Sequence, residues 1–100
     1  MQSFGETIRS LRKQQGKPLR IVAAAVEIDS TLLSKIERGE RLPTERQVNR
    51  FADYYQIPVE EFAALVIADK ILADYGSQQV TLQAINLVRE RMASYPEETE

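Results

Sequence analysis

Apolar residues recur at three- and four-residue intervals along almost the whole chain, a period that fits helices packed on one another. Strand signals are weak: there is no long alternating run and no Asn-Gly or Asp-Gly hairpin turn. There are only four glycines and four prolines, and the periodic stretches read as six segments. A first helix is predicted from about Ser3 to Gln15, with Ser3 and Glu6 forming a capping box and Phe4, Ile8 and Leu11 one stripe. Gly16 stands where that helix would end. A second is expected to open at Pro18, as its first helical residue, and to run to about Ala25, burying Leu19, Val22, Ala23 and Val26. Asp29 reads as the N-cap of a third, Ser30 to Arg38, closed by Gly39, with Leu33 and Ile36 inward. Thr44 and Gln47 form a second capping box for a fourth helix to Tyr55, burying Val48, Phe51, Ala52 and Tyr55. A fifth spans Val59 to Tyr75 and a sixth Gln79 to Ser94. The expected class is all-α.

Composition narrows the chemistry. The chain of 100 residues has no His and no Cys, which removes the commonest general base, the commonest metal ligand and every thiolate. No metal or other cofactor is expected. A carboxylate hydrolase would need two acids framing a cleft, whereas Asp69 and Asp74 fall on different sides of one helix. The longest apolar run, Phe62 to Ala68, is too short to cross a bilayer, and no secretory signal is visible near Met1. A cytoplasmic location and no membrane partner are therefore expected. Charge is divided unevenly. Residues 1–50 carry ten Lys and Arg against six acids, a balance of +4, and residues 51–100 carry three against nine, a balance of −6. A basic front can meet phosphates, and an acidic rear avoids them.

The second and third segments, joined by Val26-Glu27-Ile28, have the proportions of two short helices around a tight turn. The run Ile28 to Pro43, with Ser34-Lys35-Ile36-Glu37-Arg38-Gly39 at its centre, closely resembles the recognition-helix segment of the phage repressor/Cro, or xenobiotic-response-element, family of bacterial regulators. Ile8-Arg9-Ser10-Leu11-Arg12 and Ile57-Pro58-Val59-Glu60-Glu61-Phe62 match on either side, so the resemblance covers about residues 4–66. It implies a five-helix repressor/Cro-like helix-turn-helix bundle and a double-stranded DNA partner. It places Ser30, Thr31 and Lys35 at base edges, where a lysine can donate to guanine O6 and N7. It places Ser34, Arg38 and Arg41 at backbone phosphates, with Arg20 able to join them, and it pairs Arg12 with Glu37 as a structural tie between helices. Each residue has a plainer reading: Ser30 and Thr31 as capping chemistry, Lys35 as a solvated lysine, Arg38 and Arg41 as partners of the helix dipole. In one respect the chain departs from the family. Glu27 stands where the turn usually has Gly, which implies either a strained left-handed residue or another turn geometry.

The expected organisation is a DNA-binding domain over 1–66, a helical C-terminal extension over 67–95 and an acidic tail, disordered, over 96–100. The extension region is rich in apolar residues. Leu65, Ile67, Ile71, Leu72, Tyr75, Val80, Ile85, Val88 and Met92 are more than two helices can bury against each other, and a homodimer is the expected destination. A self-contained helical cap over the bundle is the alternative. The function expected is a non-enzymatic transcriptional regulator reading a palindromic operator, a repressor or an autoregulatory controller such as that of a restriction–modification operon. No small-molecule effector is expected. The rival readings are an antitoxin, whose extension would cover a toxin, and a protein-interaction adaptor that kept the fold without DNA binding.

Overall fold

The computed structural model describes residues 2–76 and 78–94. These form six helices, α1 (Phe4–Gln14), α2 (Leu19–Ala25), α3 (Ser30–Glu37), α4 (Glu45–Tyr55), α5 (Val59–Tyr75) and α6 (Gln79–Ser94), with no strand among them. The tail expected over 96–100 lies outside the described residues. The chain divides into two compact units, Met1–Lys70 and Ile71–Glu100.

Local chemistry accounts for the helix ends. Ser3 Oγ accepts from the Glu6 N–H at 3.2 Å, and Glu6 Oε1 accepts from the Ser3 N–H at 2.9 Å. Thr44 and Gln47 repeat the exchange at 3.2 and 2.9 Å. Asp29 caps α3 by accepting from the Leu32 N–H at 2.7 Å. The start of α2 differs by one residue from expectation. Pro18 has extended backbone (φ −74°, ψ 159°) and serves as the N-cap, so Leu19 is the first helical residue. The Pro18 carbonyl then accepts from Ile21 and Val22, as an N-cap carbonyl does. Likewise Gln15 and Arg38 are C-caps rather than helical residues.

The core of the first unit is made of Phe4, Ile8, Val22, Ala23, Val26, Leu33, Ile36, Val48, Phe51, Ala52, Tyr55 and Phe62; all but Phe62 are expected inward positions, whereas Leu11 and Leu19, also expected inward, are only partly buried against it. Phe4 is its hub. Its ring meets Phe51 at 5.5 Å and Phe62 at 5.2 Å, both edge-to-face, which joins α1 to α4 and α5. Asp69 adds a polar tie that no local pattern foretold. Its Oδ2 accepts from the Phe4 N–H at 2.9 Å and satisfies a donor that the first turn of α1 leaves open. Leu65 and Val66 pack against the same core, so Leu65 serves its own module.

In the second unit α6 buries none of its residues. Ile71, Tyr75, Val80, Ala84, Ile85 and Val88 line a shallow apolar depression of about 430 Å³. Leu82, Leu87 and Met92 are exposed as well, Met92 at 69%.

Candidate nucleic-acid interface

The turn between α2 and α3 decides how α3 is presented. After the C-cap Val26, the Glu27 N–H donates to Ala24 O (3.2 Å) and the Ile28 N–H to Ala23 O (3.0 Å). This two-bond closure puts the residue after the cap in the left-handed region. Glu27 occupies it with φ 63°, so the usual geometry is kept with a non-glycine residue and the strain is accepted. The Glu27 carboxylate lies 3.4 Å from Arg50 Nη2 on α4.

The eight residues of α3 divide between two faces. Leu33, Ile36 and Glu37 are buried and Leu32 is half-buried against the core, whereas Ser30, Thr31 and Lys35 are exposed and Ser34 is half-buried. Helical spacing puts Ser30 and Ser34 on one outer row, continued by Arg38, with Thr31 and Lys35 on the next. Five of the seven residues expected to meet DNA are thus gathered on one outward face of a single short helix. Arg41 is exposed in the loop that follows and Arg20 is exposed near the start of α2. Arg20, Lys35 and Arg41 form no salt bridge among the described residues.

The inner face is anchored by charge as well as by packing. Arg12 Nε donates to Glu37 Oε2 at 2.8 Å and Nη2 to Oε1 at 2.9 Å, while Nη1 donates to Lys17 O at 3.0 Å. The side chains are only 12% and 4% exposed. The Glu37 hydrogen bonds raise the Arg12 pKa further above its ordinary value. This pairing ties α1 to the last turn of α3 and keeps both residues away from any ligand. Beside it, burial pushes the Tyr55 phenol up to about 12. Its hydroxyl is buried without a hydrogen-bond partner among the described residues.

Two features of the site escaped the sequence. At Gly5, a Cβ would lie 2.3 Å from Ile36 O and 2.7 Å from Glu37 O, so the backbones of α1 and α3 touch there. A glycine in the first turn of a predicted helix, next to a capping box, is the only local trace of that approach. The second feature is Glu40. Its Oε2 accepts from Arg38 Nε at 2.8 Å and its Oε1 from Arg38 Nη2 at 3.2 Å. Arg38 Nη1 donates to Ser34 Oγ. The exchange raises the Arg38 pKa and lowers that of Glu40, the shared hydrogen bonds leading in both. No cluster of three or more His, Cys, Asp and Glu that could hold a metal exists among the described residues. No helix among them is long and apolar enough to cross a membrane.

A tight-turn helix pair whose second helix buries one face and offers a polar, basic one defines a helix-turn-helix protein. The family model described as a helix-turn-helix domain matches residues 3–65. The chain belongs to that family, in its repressor/Cro (xenobiotic-response-element) branch. It is 37% identical over 60 residues to the uncharacterized HTH-type transcriptional regulator YazB of Bacillus subtilis (strain 168), a stretch covering 60% of this chain and 87% of that protein. No solved structure is significantly similar to the chain.

Proposed function

We propose that this protein is a sequence-specific double-stranded DNA-binding transcriptional regulator without enzymatic activity, acting in the cytoplasm as a homodimer on a palindromic operator. The observation that carries the reading is the outer face of α3. It offers two hydroxyls and one ammonium at Ser30, Thr31 and Lys35 to base edges, flanked by Ser34 and Arg41 for phosphates, with Arg38 beside them. A short helix of this width fits the major groove. The regulator named among its relatives supports the reading by kinship. Residues 1–66 would bind DNA and the extension over 67–95 would pair two copies. In favour of pairing are the exposed Ile67, Leu72, Tyr75, Val80, Ile85, Val88 and Met92, alongside Ile71. Leu65 is not needed for it.

Two copies would place their α3 helices about one helical turn, ~34 Å, apart on the duplex. Selection of bound sites from random duplexes tests the reading directly. Enrichment of an inverted repeat is expected; the absence of any enriched sequence would overturn it. Lys35→Ala should then weaken binding to the selected site by about 1–3 kcal/mol while affecting random duplex far less. Leu72→Glu and Val88→Glu, at positions exposed in the single chain, should yield sedimenting monomers; a dimer that survives both excludes this face as the interface.

A further inference from the structure

Arg38 is engaged through all three of its guanidinium nitrogens. Nε and Nη2 both meet the Glu40 carboxylate, at 2.8 and 3.2 Å, and Nη1 donates to Ser34 Oγ. Two parallel N–H donors on two carboxylate oxygens is the same planar fork that an arginine offers a phosphate. Residues two apart on a helix do not face each other, so this pairing is created by the turn that follows α3. Gly39 adopts φ 77°. Its N–H donates to Ile36 O at 3.0 Å and the Glu40 N–H to Lys35 O at 2.9 Å, folding Glu40 back toward the helix end. The carboxylate also lies in the field of Lys35. An acid is thus held among residues that the DNA reading assigns to a polyanion. Arg41, one residue further, has no such partner among the salt bridges of the described residues.

We propose that Glu40 is an intramolecular phosphate surrogate that holds Arg38 off the DNA backbone, lowering the affinity of the protein for every duplex irrespective of sequence. The inference rests on the DNA-binding reading and deepens it, because it divides the basic residues into one that is engaged (Arg38) and others that are available (Lys35 and Arg41). Both side chains of the pair are about half exposed, 51% and 54%, so the pair lies within reach of a competing phosphate. The free protein nevertheless presents a neutral fork where a cation is expected. Counterion release on binding then lacks the contribution of Arg38. Glu40 is a positioning residue here, acting through Arg38 without contacting the duplex.

The test is the salt dependence of binding to a short duplex of random sequence, followed by fluorescence anisotropy. The full-length chain is used as wild type, Glu40→Gln, Arg38→Gln, the double variant, and Glu61→Gln as a control. Glu61 is an exposed acid on α5, so Glu61→Gln matches the change in net charge without touching the pair. Freeing Arg38 for one phosphate should steepen the slope of log K against log salt by about 0.9, which is roughly an eightfold tighter complex at 0.1 M salt. Glu40→Gln should show that gain beyond the Glu61→Gln control. Arg38→Gln should hardly move the wild-type slope yet cancel the gain in the double variant. An unchanged slope in Glu40→Gln, or a flatter one in Arg38→Gln alone, would overturn the proposal, the second because Arg38 would already be meeting a phosphate. A gain confined to the selected operator, with none on random duplex, would also overturn it, by assigning Glu40 to base discrimination. Unaltered thermal unfolding of Glu40→Gln is expected, since both side chains are exposed. If no variant binds duplex even at low salt, the DNA-binding reading itself falls, an outcome distinct from binding with unaltered slopes.

Discussion

Replacing Gly5 by Ala sets helix propensity directly against tertiary geometry. On propensity alone, Gly to Ala in a helix is favourable by up to about 1 kcal/mol. In this fold the added methyl would lie 2.3 Å from Ile36 O and 2.7 Å from Glu37 O, where ordinary van der Waals contact begins at 3.4 Å. Both obstacles are backbone atoms, so no rotamer change relieves the overlap. The first turn of α1 would have to retreat from α3 by roughly 1 Å, and interdigitated cores absorb such shifts poorly. The retreat would loosen Phe4 from the rings of Phe51 and Phe62 and strain the Arg12–Glu37 pair, now 2.8 Å long. Overpacking typically costs about 1–3 kcal/mol, and the weakened buried ion pair brings this site to the upper end, about 3 kcal/mol. For a domain of this size that corresponds to a fall in Tm of roughly 12–24 °C. Thermal and urea unfolding followed by circular dichroism measure both quantities. An unchanged or raised Tm would refute the close approach and return Gly5 to an ordinary helical position. Because the retreat loosens the seat of α3 on α1, Gly5→Ala protein that remains folded should also bind DNA more weakly, although Gly5 lies on the inner side.

Further substitutions at three places probe the turn, the buried pair and the orphan phenol. Glu27→Gly and Glu27→Ala both remove the contact with Arg50, but only Ala retains a side chain at φ 63°. The Gly variant should therefore be the more stable of the two by about 1 kcal/mol in urea titrations, the reverse of their order within a helix, and equal or inverted stabilities would rule out the left-handed turn. Glu37→Gln leaves the Arg12 charge buried without its counter-ion and should cost about 3 kcal/mol or more; Arg12→Met combined with Glu37→Leu should recover part of that, and a loss under about 1 kcal/mol for the single variant would contradict the pairing. Tyr55 is raised to about 12, so its contribution to stability is complete below the ordinary pKa of 10 and is lost as pH rises through 12. Tyr55→Phe removes both this alkaline dependence and an unpartnered buried hydroxyl, and the variant should match or exceed wild type at pH 7 and lose less stability between pH 10 and 12; identical alkaline profiles would place the phenol in solvent.

Much of the fold was legible because helix formation and capping are local. Ser3 with Glu6, Thr44 with Gln47, and Asp29 each mark a helix start within four residues of chain, and the 3.6-residue period picked out every buried position of α4. The error at Pro18 has the same scale: proline suits both the N-cap and the first helical turn, and only the backbone angle separates them. The candidate interface was read by a different route. Nothing in the period of α3 distinguishes a DNA-reading face from a solvated one, and the roles proposed for Ser30, Thr31 and Lys35 came from resemblance. So did the Arg12–Glu37 tie, which joins residues 25 apart.

What local pattern dictated, then, is the set of six helices, the starting caps of α1, α3 and α4 and the inward faces of the first four, because each depends on neighbours within a turn or two. What tertiary structure decided is how closely those helices approach and which polar atoms meet. Gly5 admits the backbone of α3, and Asp69 reaches the first turn of α1 across 65 positions. Glu27 keeps a glycine's conformation, and Glu40 closes on Arg38 only because Gly39 turns the chain back. These outcomes depend on distances between elements and on angles that a period of 3.6 residues does not encode. They set both the presentation of α3 and the charge it can offer a phosphate.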